Sequence, residues 1–263
     1  MDEHTFIFVG GMHRSGTTML ARYLAEHPDV SGFADTGVPE DEGQHLQTVY
    51  VRPSAERQSG RFAFDPSAHR TESSPLVTLE NRRSLYEQWS EHWDTSRTYL
   101  LEKSPPNLMC TRFLQAMFPD SRFVMVIRHP IAVACATQKW SATRPHSLIQ
   151  HWLAGYECLA GDLPHLRHAL VIRYERLVRD PDGEMARVFD FLGLDYIDAD
   201  RTTRQGVNDQ YFDTWDARAK NPAKRAYLAL TAARYERRTR RFGYSLLHPR
   251  REPWAVAGIP GLD

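Results

Sequence analysis

Phe6-Ile7-Phe8-Val9-Gly10-Gly11-Met12-His13-Arg14-Ser15-Gly16-Thr17-Thr18 is the stretch that decides the fold. Its first four residues are apolar, two aromatic and two β-branched, and read as a short buried strand. Glycines follow, then two threonines that open a helix running to about residue 26, where Pro28 stops it. Strand, glycine loop and helix start together make a phosphate cradle: backbone N–H groups can approach an anion, and the helix dipole favours negative charge there. The spacing Gly11-x-x-x-x-Gly16 is that of a P-loop, with Thr17 where the usual lysine would stand. The cation lies inside the loop instead, as Arg14.

Outward from this stretch, strand and helix patterns alternate. Residues 98–102, 122–127 and 169–172 read as strands, and residues 78–93, 107–118, 133–140, 147–159 and 182–192 as helices. Four short apolar strands separated by helices predict an α/β fold, a P-loop-type parallel sheet flanked by helices, as a single domain over residues 1–263. Between residues 29 and 76 the periodicity fades into Gly, Pro, Ser, Asp and His, which predicts substrate-facing loops with one helix near 43–51. The last twenty residues read as irregular.

Composition excludes several function classes. The chain has 263 residues, with 33 Lys+Arg against 33 Asp+Glu, so bulk charge does not hold it to nucleic acid. Hydrophobic residues at 41% and charged residues at 25% suit a globular fold rather than disorder. No apolar run reaches the ~18 residues of a membrane span. The start Met1-Asp2-Glu3-His4 lacks a basic leader, so a cytoplasmic location is expected. Cys110, Cys135 and Cys158 are widely spaced, which supports neither a disulfide framework nor a zinc cluster. The charge balance hides a basic C-terminal helical region, about 216–251: from Arg218 to Arg251 there are eleven Lys/Arg and one acid, Glu236. A solvated helix face is the expected reading of that region.

In a parallel α/β sheet, ligands bind at the carboxyl ends of the strands. A nucleotide triphosphatase would place a magnesium-binding Asp there. These strands end instead in Glu102-Lys103, Arg128-His129-Pro130 and Arg173-Tyr174-Glu175. The site is expected to neutralise anions with side chains and to hold no metal.

Residues 11–18 resemble the 5′-phosphosulfate loop of sulfotransferases that use 3′-phosphoadenosine 5′-phosphosulfate (PAPS). Glu102-Lys103-Ser104-Pro105, the strand 122–126 with Ile127-Arg128-His129-Pro130, and Val171-Ile172-Arg173-Tyr174-Glu175-Arg176-Leu177 resemble later motifs of the family, as does Phe191-Leu192-Gly193-Leu194. The likeness runs from about residue 6 to residue 215. Arginine in the loop is closer to the bacterial and Golgi tyrosylprotein type than to the cytosolic type, which has lysine.

The resemblance implies a metal-independent enzyme that moves a sulfuryl group from PAPS to a hydroxyl or amine of a small-molecule, lipid or glycan acceptor. Arg14, Ser15, Gly16, Thr17 and Thr18 would bind the 5′-phosphosulfate, with Lys103 stabilising charge on the leaving oxygen. Arg128 would hold the 3′-phosphate, and Tyr174 would lie near the adenine. A serine usual in the family is Ala136 here, with Thr137 beside it as the replacement hydroxyl. Asn208, Tyr211 and Trp215 resemble a late segment of related enzymes, and Lys220 or Lys224 could close on the 3′-phosphate. Cytosolic members carry a catalytic histidine where this chain has Pro105, so the base must come from residues 29–76. Asp35 fits the tyrosylprotein spacing, while Glu42 and His45, three apart, would share one face if that stretch were helical. The sequence leaves these three open. Two other readings fit the same loop: a small-molecule kinase, which the missing loop lysine and strand-end Asp oppose, and a nucleotide-binding module without catalysis.

Overall fold

The computed structural model describes residues 3–51, 60–199, 201 and 203–262. Among them, five parallel strands form one sheet in the order β2-β3-β1-β4-β5. These are β1 (Thr5–Gly11), β2 (Val30–Gly32), β3 (Tyr99–Lys103), β4 (Ser121–Ile127) and β5 (Ala169–Arg173). The fold expected from the sequence is the one observed, with one strand more. The missed strand, β2, is three residues at the sheet edge, too short to show a periodicity.

Alternation along the central strands builds two cores. Ile7 and Val9 face one side with Val124, Val126 and Ile172, covered by α1 (Thr17–Ala25), α6 (Tyr174–Arg179) and α7 (Pro181–Leu192). Phe6 and Phe8 face the other side with Phe123, Met125 and Ile127. That face carries α2 (Leu79–Ser90), α3 (Thr111–Met117), α4 (Pro130–Thr137), α5 (Pro145–Asp162), α8 (Asp209–Ala219) and α9 (Pro222–Arg240). Trp89 and Trp152 are fully buried there. Caps set several helix starts. The Thr78 hydroxyl accepts from Asn81 N, and the Asp180 carboxylate accepts from Gly183 N. Gly193 ends α7 at φ 65°, a left-handed turn that glycine adopts without steric cost.

Several expected boundaries change. The helix read at 107–118 is broken at Cys110 (φ −134°), where a 3₁₀ turn, Pro105–Met109, precedes α3. Within that turn Asn107 points inward, its Nδ2 donating to Val9 O at 3.0 Å. The helix expected near 43–51 is only a 3₁₀ turn, Gly43–His45. In the basic C-terminal region, helix stops at Arg240, and Gly243 turns at φ 79°. Its cations pair locally: Arg238 with Glu157, and Arg250 with Asp213 and Asp216. The tail beyond is irregular as expected, but it is stitched to the sheet. Val171 N on β5 donates to Pro260 O at 2.8 Å, and Arg173 Nη2 donates to Trp254 O at 2.8 Å.

Register fixes the site. Val9 lies beside Lys103, Gly11 beside Val126 and Ile127 beside Arg173, so the glycine loop, Lys103 and Arg128 emerge at one edge of the sheet.

Candidate active site

The loop after β1 is a tight turn. Ser15 N donates to Met12 O, and Gly16 starts α1 at φ 106°. A side chain at Gly16 would strike the Tyr174 ring, with Cβ 2.6 Å from Cδ2, so glycine is needed for both conformation and space. On Tyr174 lies the Arg128 guanidinium, its Cζ 3.9 Å from the ring centroid. Arg128 Nε donates to Asn208 Oδ1 at 2.8 Å and Nη1 to Arg14 O at 2.9 Å. Its Nη2 is buried and has no hydrogen-bond partner. Arg128 is only 5% exposed, and burial pulls its pKa down. A buried guanidinium with donors to spare is built to meet an anion.

Glu175 fixes this arrangement from behind. Its carboxylate accepts from His129 N, Asn208 Nδ2 and the Tyr244 hydroxyl, at 2.9, 2.7 and 2.8 Å. The Glu175–Asn208–Arg128 chain therefore sets the angle of the guanidinium. His129 caps α4 by accepting from Ile131 N, and its Nε2 donates to Ser245 O. Burial holds His129 neutral, with its pKa lowered to about 3.

A cavity of about 510 Å³ opens in front of the loop. Arg14, Arg22 and Arg128 supply cations, Thr17 and Thr18 hydroxyls, and Met19, Tyr23 and Tyr174 apolar surface. The Arg14 guanidinium lies 4.1 Å from the centroid of Trp140. Cations and helix-start donors at one end, with flat apolar surface nearby, suit a phosphorylated nucleoside.

Next to it is a second cavity of about 350 Å³, which Lys103, Asp35, Asp41, Phe33 and Leu101 help to line. Thr18, Arg22 and Glu40 line both cavities. Lys103 is 5% exposed, and loop residues hold its ammonium. Nζ donates to Glu40 O at 2.5 Å and lies 3.6 Å from Glu42 Oε1. Glu42 is buried, which raises its carboxyl pKa against the opposing pull of Lys103. The loop is docked on β3: Gln44 N donates to Ser104 Oγ at 3.0 Å, and Trp89 Nε1 donates to Gly43 O at 2.9 Å. Glu102, fully buried below, has its pKa raised to about 7 by burial. Within the phosphate loop, burial first and then the charges of Lys103, His45 and Arg14 lower the His13 pKa to about 4.

The structure brings Arg14, Gly16, Thr17, Thr18, Arg128 and Tyr174 to one cavity and Lys103 and Asp35 to its neighbour. Ser15 is fully buried beneath the loop. Thr137 is buried, 2% exposed, and does not line the Arg128 cavity, nor does Ala136. Glu42 and His45 do approach, at 3.8 Å, but not on a helix face, since Glu42 is extended at φ −86° and ψ 122°. Lys220 and Lys224 are exposed and line neither cavity. Sequence reasoning missed Met19, Arg22 and Tyr23, although these three have the i, i+3, i+4 spacing of one helix face. It also gave no role to Glu175 or Glu40.

Fold and site together define a parallel α/β protein with a P-loop-type anion crevice at its strand ends. A family model described as the sulfotransferase family matches residues 7–198, and the chain belongs to that family. Protein-tyrosine sulfotransferase 2 of Gallus gallus is 25% identical over 207 residues, covering 74% of this chain and 53% of that protein. Heparan sulfate glucosamine 3-O-sulfotransferase 6 of Homo sapiens is 29% identical over 221 residues, covering 73% and 53%. The chain thus spans about half the length of these relatives. The solved sulfotransferase domain of the Synechococcus PCC 7002 olefin synthase shares the fold, with a TM-score of 0.50 at 20% identity, covering 79% of this chain and 86% of that one. No helix among the described residues is long and apolar enough to cross a membrane.

Proposed function

We propose that this protein is a PAPS-dependent sulfotransferase acting without a metal. One observation carries the reading: Arg128 Nη2, buried and unpartnered, lies beside a P-loop whose own lysine is absent. A second phosphate on the nucleoside, away from the 5′ end, would answer that donor. When bound, the donor supplies an activated sulfuryl group on its 5′-phosphate. Arg14, Thr17 and Thr18 would hold the phosphosulfate, Arg128 the 3′-phosphate and Tyr174 with Met19 the base. Lys103 would stabilise the charge that grows on the leaving phosphate oxygen. Ser15 and Gly16 act as framework, one packed beneath the loop and the other giving its backbone turn.

The acceptor enters, on this reading, through the second cavity. Its walls are part apolar (Phe33, Leu101) and part acidic (Asp35, Asp41), which suits a small-molecule, lipid or glycan hydroxyl or amine. The relatives differ in the acceptors their names declare, so the family alone does not choose among these. The proton acceptor belongs to the loop 35–45, which carries Asp35, Glu42 and His45.

Calorimetric titration tests the donor. Adenosine 3′,5′-bisphosphate should bind tightly, and equally well with or without EDTA, whereas ATP with magnesium should bind weakly. Preference for ATP with magnesium would replace this reading with a kinase.

A further inference from the structure

We propose that His69, Cys158 and Asp162 bind one zinc ion, which clamps the segment 60–77 to α5 and takes no part in sulfuryl transfer. A ring nitrogen of His69, Sγ of Cys158 and a carboxylate oxygen of Asp162 all lie within 4.8 Å of one another. Imidazole, thiolate and carboxylate are the side-chain ligands that zinc takes. Around a tetrahedral ion with bonds of about 2.0–2.3 Å, ligand atoms stand about 3.3–3.8 Å apart. Side-chain shifts of about 1 Å would therefore close the three around the metal.

Two parts of the chain preset these positions. Cys158 and Asp162 stand four residues apart on α5 and so share one face. His69 comes from the chain that follows the 3₁₀ turn Phe62–Phe64. Its backbone is pinned on both sides, since Ala68 is buried and Arg70 N donates to Met109 O at 3.0 Å. His69 Nε2 already meets Asp162 Oδ2 at 3.1 Å. Asp162 is almost wholly buried, while His69 is exposed, so an ion can enter from solvent and keep a water in its fourth position.

Charge fits as well. One thiolate and one carboxylate balance the two charges of the ion, with His69 neutral; binding releases the Cys158 thiol proton to solvent. Arg112 leaves room. Its Nε donates to Glu72 at 2.7 Å, and its Nη1 stands 3.6 Å from Asp162 Oδ1, on the oxygen that the ion does not need. The Thr111 hydroxyl approaches Asp162 Oδ2 at 3.4 Å and would orient the ligating carboxylate. None of the three ligands lines either cavity of the active site, so the zinc site stands or falls apart from the donor reading. The clamped segment nevertheless reaches the phosphate loop: Phe62 packs edge-on against His13, with ring centroids 5.3 Å apart.

Cobalt(II), a coloured substitute for zinc, provides the test. The untagged full chain is stripped with EDTA, desalted and titrated. Wild type should take up one equivalent and show a thiolate-to-cobalt charge-transfer band in the near ultraviolet, which one equivalent of zinc should bleach. Cys158→Ser should lose that band. His69→Ala, a change at an exposed side chain, should weaken zinc binding at least tenfold in competition with a chelating dye, on the order of the loss seen when even an outer partner of a metal site is removed. Zinc should also raise the Tm of wild type and leave that of His69→Ala unchanged. No stoichiometric uptake by wild type, or a band that survives in Cys158→Ser, would overturn the site. Equal zinc affinity in wild type and His69→Ala would overturn it too, leaving His69 and Asp162 as a plain ion pair.

Discussion

The two cations at the heart of the crevice are held in opposite ways. Regular elements fix Arg128: it stacks on the first residue of α6, bonds the residue before α8, and is braced through Asn208 by Glu175. Lys103 comes from a rigid strand, but its ammonium is answered by a loop, through the Glu40 carbonyl and the Glu42 carboxylate. That loop carries non-glycine residues at positive φ: Asp35, Glu40 and Asp41. A group that only has to hold a ligand can be locked in advance. A group whose partners must change as charge moves is better tied to a segment that can give. On the proposed function, the difference separates binding from turnover along the crevice.

The sharpest break of that comparison is Lys103→Ala. Its charge should count most as the leaving oxygen gains charge, so kcat should fall by about 10²–10³ while bisphosphate affinity changes little. Single-turnover kinetics beside calorimetry would show it. A raised KM at unchanged kcat would put Lys103 on the binding side with Arg128.

Arg128→Ala should do the reverse. Adenosine 3′,5′-bisphosphate binding should weaken by about 2–4 kcal/mol, the scale of truncating one partner of a buried charge pair. Binding of 5′-AMP should hardly move. Equal losses for the two nucleotides would make the arginine a structural brace.

A smaller effect tests the rigidity of the Arg128 side. The His129 pKa is lowered to about 3 in the folded protein, from an ordinary 6.5. A depressed folded pKa gives stability that is complete above pH 6.5 and is lost as pH falls toward 3. At about 1.4 kcal/mol per pH unit, this one residue should cost about 2 kcal/mol between pH 6.5 and 5. Urea melts at the two pH values should show a shallower loss in His129→Asn, which keeps a capping oxygen at the start of α4. An unchanged slope would assign the acid sensitivity to other groups, such as the buried His151.

The same divide decides what the sequence could reveal. Strand–glycine–helix at residues 6–18 is local: each residue states its own conformation, and the register of β1 with β3 and β4 then carries Lys103 and Arg128 to the site. The motifs at Lys103, Arg128 and Tyr174 were legible for that reason. The place of Glu40 was not, because its partners, Thr18 and Lys103, are distant in sequence. Thr137 illustrates the converse limit. It sits beside the expected serine position, Ala136, and neither residue of α4 lines the Arg128 cavity. Thr137 is buried away from that cavity.

The tail on β5 has a consequence for how copies of this molecule meet. An open parallel sheet offers unpaired N–H and C=O groups at its two outer strands, and these can recruit a strand from another chain. One outer strand here, β2, is three residues long, too short to template much. At the other, residues 254–262 lie against β5, with the Pro260 carbonyl on Val171 N and Leu262 almost wholly buried. Among the described residues, one margin is a strand of three residues and the other carries the tail, an arrangement that disfavours growth of the sheet from molecule to molecule.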